Sequence, residues 1–261
     1  MLRFAFPGPR NTSYHNHSNW SDGADPLEEI CRAGKKAGLR EFGVSDHWVE
    51  PPGKDYPVIN WRMDPERLDS YIETLLALKS ELDDDRFTLR IGLEVDFFPE
   101  NADSVLARLK KYPFDYLIGS VHFSGTFPVD SSRSDWVPLS CEQRDAVCET
   151  YWKKLEGAAR TGEFSFLGHP DLPKKFAMID NRKYLPHAQR VFDAAKASHT
   201  AIEINTSGWF KDCGEAYPCL PMLREARLRR IPVAVNSDSH SKEHLTRAFD
   251  RAFELLGQAG Y

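Results

Sequence analysis

The stretch "IPVAVNSDSH", residues 231–240, opens as a buried strand and ends in charge. Ile231 to Val235 is a short apolar run of the kind a parallel sheet buries on both faces. Asp238 and His240 follow, one residue apart. Alternate residues of a strand share a side, so the two can point together unless the chain turns there. Burying a carboxylate and an imidazole without partners is costly.

The same pattern recurs upstream. Working back from 231–240, apolar runs lie at 201–208, 164–171, 114–123, 88–98 and 40–47, with a weaker run at 11–17. Helical patterns separate them, at 25–39, 64–82, 102–112, 140–161, 182–198 and 219–229, and a last one covers 242–257. Asp25–Pro26 and Asp64–Pro65 read as helix starts, an N-cap followed by proline at the first helical position. Seven strand–helix units without a composition break predict one α/β domain over 1–261, a distorted (β/α)7 TIM-like barrel. A doubly wound open sheet is the runner-up.

Composition narrows the function. The 261 residues carry a net charge of −5. No basic stripe is visible, so long nucleic acid is not an expected partner. No stretch approaches the roughly 18 apolar residues of a membrane span. The five cysteines, Cys31, Cys141, Cys148, Cys213 and Cys219, form no CxxC pair and read as free thiols of a cytoplasmic protein.

The polar residues fall at strand ends. His15 and His17 end the first run, Asp46 and His47 the second, His122 the fourth and His169 the fifth, with Glu94 late in the third. In a parallel barrel the C-terminal strand ends meet at one mouth. So many imidazoles and carboxylates there need cations to pair them. The mixture suits zinc, manganese or iron, and no cysteine joins it, unlike a closed structural zinc site. The predicted feature is therefore a multinuclear metal site at the C-terminal mouth.

In order, "HNHSNWSDG", "VSDHW", "GLEVDFF", "GSVHF", "GHPDL" and "NSDSHS" resemble the motifs of the polymerase-and-histidinol-phosphatase (PHP) superfamily over residues 15–241. "IEINTSG", "GEAYP" and "GHPDLPKKF" look like its histidinol-phosphate phosphatases. The resemblance implies a trinuclear centre of divalent ions. His15, His17, Glu94 and Asp238 would hold one ion. Glu94 would bridge to a second, with His122 and His169, while Asp22, His47 and His240 would hold a third. In one departure, Trp209 and Phe210 precede Lys211 where the family tends to show a basic residue soon after "NTSG", which leaves the phosphate anchor open.

The activity so implied is hydrolysis of L-histidinol phosphate, a small phosphate ester, by a metal-activated hydroxide, as in histidine biosynthesis. Lys174, Lys175, Arg133 and Lys211 are candidates for contact with phosphate, and Glu215 for a cationic amine or imidazole. Asp22 or His240 is a candidate general acid. Trp48, Trp61, Phe123, Trp136 and Trp209 are candidates to line a pocket for a flat ring. The competing readings are a phosphoesterase acting on nucleotides or a DNA 3′ end, a metal-dependent amidohydrolase, and a metal-binding regulatory module without turnover.

Overall fold

Seven parallel strands wind in chain order around one axis and meet again behind the first. The computed structural model describes residues 1–261. In chain order the elements are β1 (Thr12–Ser13), α1 (Leu27–Lys36), β2 (Glu41–Val44), β3 (His47–Trp48), α2 (Leu68–Leu82), β4 (Thr88–Asp96), α3 (Ala102–Leu109) and β5 (Tyr116–Ser120). A hairpin, β6 (Phe123–Ser124) and β7 (Phe127–Pro128), and the short α4 (Arg133–Trp136) occupy the long loop before α5 (Cys141–Thr161). Then come β8 (Phe166–Leu167), α6 (Leu185–Ser198), β9 (Ala201–Asn205), α7 (Leu220–Leu228), β10 (Val233–Asn236) and α8 (Phe249–Ala259).

The sheet order is β1-β2-β4-β5-β8-β9-β10, every pair parallel. The short β3 continues β2 after a break at Ser45–Asp46 and pairs with β4 so that His47 faces Glu94. Asn16 and Ser239 form a parallel bridge between the two ends of the sheet. The His17 N–H donates to the Ser239 carbonyl at 2.7 Å, and the Tyr14 N–H to Asn236 Oδ1 at 2.8 Å. These bonds make a nearly closed barrel rather than an open sheet.

Alternate strand residues divide between two apolar clusters, as a period of two requires. Leu93, Leu117, Leu167, Ile202, Ile204, Val233 and Val235 join the large cluster packed with the helices. Tyr14, Tyr116, Ile118, Phe166, Ala201 and Ala234 form a small one, on which Leu2 and Phe4 pack. The Tyr116 hydroxyl donates to the Tyr14 carbonyl at 2.6 Å. A Cβ on Gly43 or Gly92 would come within 2.3 Å of the Tyr116 side chain, so both glycines make room for it. Two residues beyond Gly92, Ala201 and Ala234 on the same face come Glu94, Glu203 and Asn236. The inner face is therefore apolar below and polar at the mouth.

Four local expectations need correction. Asp25 does not cap α1; its carboxylate accepts from the Lys242 N–H at 2.8 Å, joining the first helix to the last loop. The strand expected at 164–171 is only Phe166–Leu167, because His169 (φ 26°) and Asp171 (φ 76°) turn the chain into the left-handed region. The sixth strand stops at Asn205, whose side-chain oxygen accepts from the Ser207 N–H and starts a 3₁₀ turn over Thr206–Phe210. The last helix begins at Phe249, after Ala248 at φ 61°. All five cysteines are free thiols, and no helix is long and apolar enough to cross a membrane.

Candidate metal centre

Glu94 sits at the centre of the mouth, fully buried near the end of β4. Five imidazoles surround its carboxylate. Oε1 lies 2.8 Å from His169 Nε2 and 3.6 Å from His122 Nε2. Oε2 lies 2.7 Å from His47 Nδ1, 3.2 Å from His15 Nε2 and 3.6 Å from His17 Nε2. A Cβ on Gly168 would come within 2.3 Å of Ser120 Oγ, so this approach of β8 to β5 beside Glu94 requires glycine.

Asp238 answers the question raised by its strand. Its φ of 51° turns the chain out of the extended region. Oδ1 thereby faces His17 at 3.2 Å and His15 at 3.5 Å, while His240 Nε2 swings to Asp22 Oδ1 at 3.2 Å. The turn splays two residues that an extended strand would keep together.

All nine side chains singled out from the sequence meet at this mouth. Their potential ligand atoms fall into overlapping groups, each within 4.8 Å: His17, Asp22, His47 and His240; His15, Glu94 and His169; His15, His17 and Asp238; His47, Glu94 and His122. The sharing is wider than the resemblance implies, since His15, His17 and His47 each face two groups. His17 stacks between His47 and His240, with ring centroids at 4.2 and 4.3 Å.

Charge follows from this packing. Burial alone would raise the Glu94 carboxyl, but His15, His47 and His122 hold it well below the usual range. Burial, with His47 and His240 beside it, pushes His17 down to about 3, so one ring nitrogen keeps its lone pair. His240 resists burial through Asp22 and Asp238 and rises to about 9.

His15 Nε2, both His17 ring nitrogens, His47 Nδ1 and Glu94 Oε2 are buried without a hydrogen-bond partner. Buried polar atoms are seldom left so. Here several lie within 3.6 Å of one another without hydrogen-bond geometry. Lone pairs aimed at common points suit cations, and imidazole with carboxylate is a ligand set for divalent transition metals. The residues therefore fit divalent ions.

Two supporting groups, Glu203 and Asp96, were not singled out from the sequence, while Asp46, which was, has a different role. Glu203 on β9 is fully buried and takes the His15 Nδ1–H at 3.0 Å. It also accepts from the His169 N–H at 2.6 Å and the Asn236 side chain at 2.8 Å. A charge inside the apolar run "AIEIN" was its signal. Asp46 is no part of the cluster: it accepts from the N–H and hydroxyl groups of Ser18 and Ser21, pinning the loop that carries Asp22. Asp96 accepts from the His122 N–H at 2.9 Å.

A cavity of about 670 Å³ opens over the cluster. Lys175 and Lys211 line it, as do Trp61 and Phe123. Asp130, His244 and Arg247 line it too, although no sequence signal placed them there. Lys174 does not reach it. It is 3% exposed, and its ammonium donates to the Ala216 carbonyl at 2.7 Å beside Asp171 and Glu215. Successive residues of the 3₁₀ turn Leu172–Phe176 point about 120° apart, which separates Lys174 from Lys175. Glu215 lines a separate cavity with Lys174, so it is not placed to meet substrate. Arg133 pairs with Asp212 at 3.1 Å on the surface, outside the mouth. Trp48 and Trp136 are buried core residues, and Trp209 packs under Arg251.

A nearly closed parallel barrel with an imidazole–carboxylate cluster at its C-terminal mouth defines a class of metal-binding barrel. Within it, the chain belongs to the PHP domain family, whose model matches residues 13–207. It is 35% identical over 235 residues to a probable histidinol-phosphatase of Deinococcus radiodurans, covering 89% of this chain and 86% of that protein. It is 27% identical to the histidinol-phosphatase of Bacillus subtilis, over 88% of this chain and 92% of the relative. Its fold matches the histidinol phosphate phosphatase of Lactococcus lactis, solved with zinc, L-histidinol and phosphate, at a TM-score of 0.77 and 19% identity over 96% of this chain and 94% of that one.

Proposed function

We propose that this chain is a single-domain, metal-dependent phosphomonoesterase that hydrolyses L-histidinol phosphate to L-histidinol and phosphate. The observation that carries the reading is the convergence of nine ligand side chains around the buried Glu94 carboxylate. Full-length similarity to histidinol-phosphatases supports the choice of substrate.

Three divalent ions, of zinc, manganese or iron, fit the nine residues. His15, His17, Glu94 and Asp238 would hold one, Glu94, His122 and His169 a second, and Asp22, His47 and His240 a third. Bound there, the ions supply acidified water and neutralise phosphate charge. The chain's own residues do the rest. Lys175 and Lys211 present ammonium groups to the phosphate from the cavity wall. Of the two candidate acids, which pair at 3.2 Å and both line the cavity, His240 would carry the proton for the leaving alkoxide, because against burial His240, His47 and His17 hold the Asp22 carboxyl well below the usual range. Trp61, stacked on the buried Phe123, would offer a face to an imidazole ring, and Asp130, paired with Lys175, would supply the carboxylate expected of Glu215. A small-molecule ester is the substrate class that this cavity would take.

The test is phosphate release from L-histidinol phosphate by protein reconstituted with each metal, beside nucleoside monophosphates and an oligonucleotide 3′-phosphate. Histidinol phosphate should turn over fastest. His122→Ala should lose activity by about 10³-fold. Metal-replete protein inert on every ester would leave a binding module in place of an enzyme.

A further inference from the structure

Arg247 has a role that the fold does not use. It follows the metal-site loop, three residues after His244, and lines the cavity with Lys211, Ser207 and Asp238. Its Nε is buried with no hydrogen-bond partner. Neither Arg247 nor Lys211 forms an ion pair, whereas Lys175 pairs with Asp130 at 3.2 Å. Burial and the like charges of Lys175 and Arg247 lower the Lys211 ammonium, opposed by Asp238 and Asp130. Two unpaired cations beside each other in one cavity repel unless an anion joins them.

The guanidinium is also held in place. It lies over the Phe210 ring, 3.8 Å from the centroid. The Thr206 hydroxyl donates to the Arg247 carbonyl at 2.7 Å, and the Arg247 N–H to the His244 carbonyl at 3.0 Å. A half-exposed phenylalanine following the sixth strand thus acts as a platform. A planar guanidinium so fixed can bond two phosphate oxygens at once, which an ammonium cannot do.

We propose that Arg247 is a phosphate-binding residue of this site, holding with Lys211 the non-bridging oxygens of the substrate's terminal phosphate. The inference rests on the phosphomonoesterase reading. It explains why Trp209 and Phe210 precede Lys211: the guanidinium reaches the site from the loop before α8, and Phe210 supports it.

Calorimetric binding of inorganic phosphate to the zinc-loaded protein tests this, alongside kcat, KM and metal content. Arg247→Gln should weaken phosphate binding and raise KM by about 10- to 100-fold, the range of one charged hydrogen-bonded contact. Metal content should hold, Arg247→Lys should restore part of the loss, and Phe210→Ala should weaken binding less than Arg247→Gln does. Phosphate binding and KM within about twofold of the parent would overturn the inference, as would loss of metal from Arg247→Gln, which would make Arg247 architectural. Phosphate binding does not depend on which alcohol leaves. If histidinol phosphate fails as substrate while Arg247→Gln still weakens phosphate binding, only the substrate assignment falls.

Discussion

Glu203 shows how one buried carboxylate supports a site it does not enter. Its neighbours all donate: His15 Nδ1–H, the His169 N–H, and the side-chain amides of Asn205 and Asn236. Only an acceptor-only group satisfies all four. By taking the Nδ1 proton of His15, it leaves Nε2 facing Glu94 and Asp238. Partners of this kind set the tautomer and orientation of a ligating ring. Glu203→Gln keeps the shape but sets an amide against four donors. It should lower metal affinity by about 10- to 100-fold in competition with a chelator. Unchanged affinity would confine Glu203 to the barrel wall.

At the scale of elements, the bottom of the first three barrel strands is tied by one acid. Glu41 on β2 accepts from Arg90 Nε on β4 at 2.7 Å and from the Tyr14 hydroxyl, just after β1, at 3.1 Å. Burial works to raise the Glu41 carboxyl, but Arg90 and Tyr14 outweigh it and hold it below its usual value. A carboxyl lowered on folding stabilises above its unfolded pKa and loses that contribution as pH falls through the folded one. Glu41→Gln should therefore lower stability at pH 7 and do so by less at pH 3, as followed by urea unfolding at both. A pH-independent difference would show that packing, not charge, joins these strands. About a quarter of the Glu41 side chain stays exposed to solvent screening, so the effect belongs at the low end of measured ion pairs.

Across the whole molecule, the mouth gathers Asp22, Glu94 and Asp238 from three distant parts of the chain. Ions that pair them bind the folded chain alone. Chelation should therefore destabilise the protein by about 4 kcal/mol for each ion previously held at a thousand times its Kd, a fall of roughly 10 °C in Tm per ion. Calorimetry before and after exhaustive chelation measures it, and readdition of zinc should restore the transition. An unaltered Tm would mean that the cluster pairs its own charges well enough without ions.

The fold and the metal-site residues were legible in the sequence because their signals are local. An apolar run marks a buried strand wherever it lies, and a histidine at its end is placed by chain order alone. The parallel winding then carries every such end to one mouth. What lines the cavity was not legible, since it depends on turns and on contacts far apart in sequence. Lys174 and Lys175 are neighbours, yet a 3₁₀ turn sends one into the protein and the other to the cavity. Arg247 lines the mouth with its guanidinium over Phe210, a contact between residues 37 apart in the chain. Closure itself joins His17 to Ser239, a pairing of the chain's two ends that no local pattern encodes. The sequence alone pointed to the barrel and, through periodicity, to eight of the nine side chains that meet at its mouth; Asp22 came only with the resemblance to the PHP motifs. Only the tertiary structure decided which cations face the cavity and which carboxylate holds His15, because positive-φ turns and barrel closure set those directions.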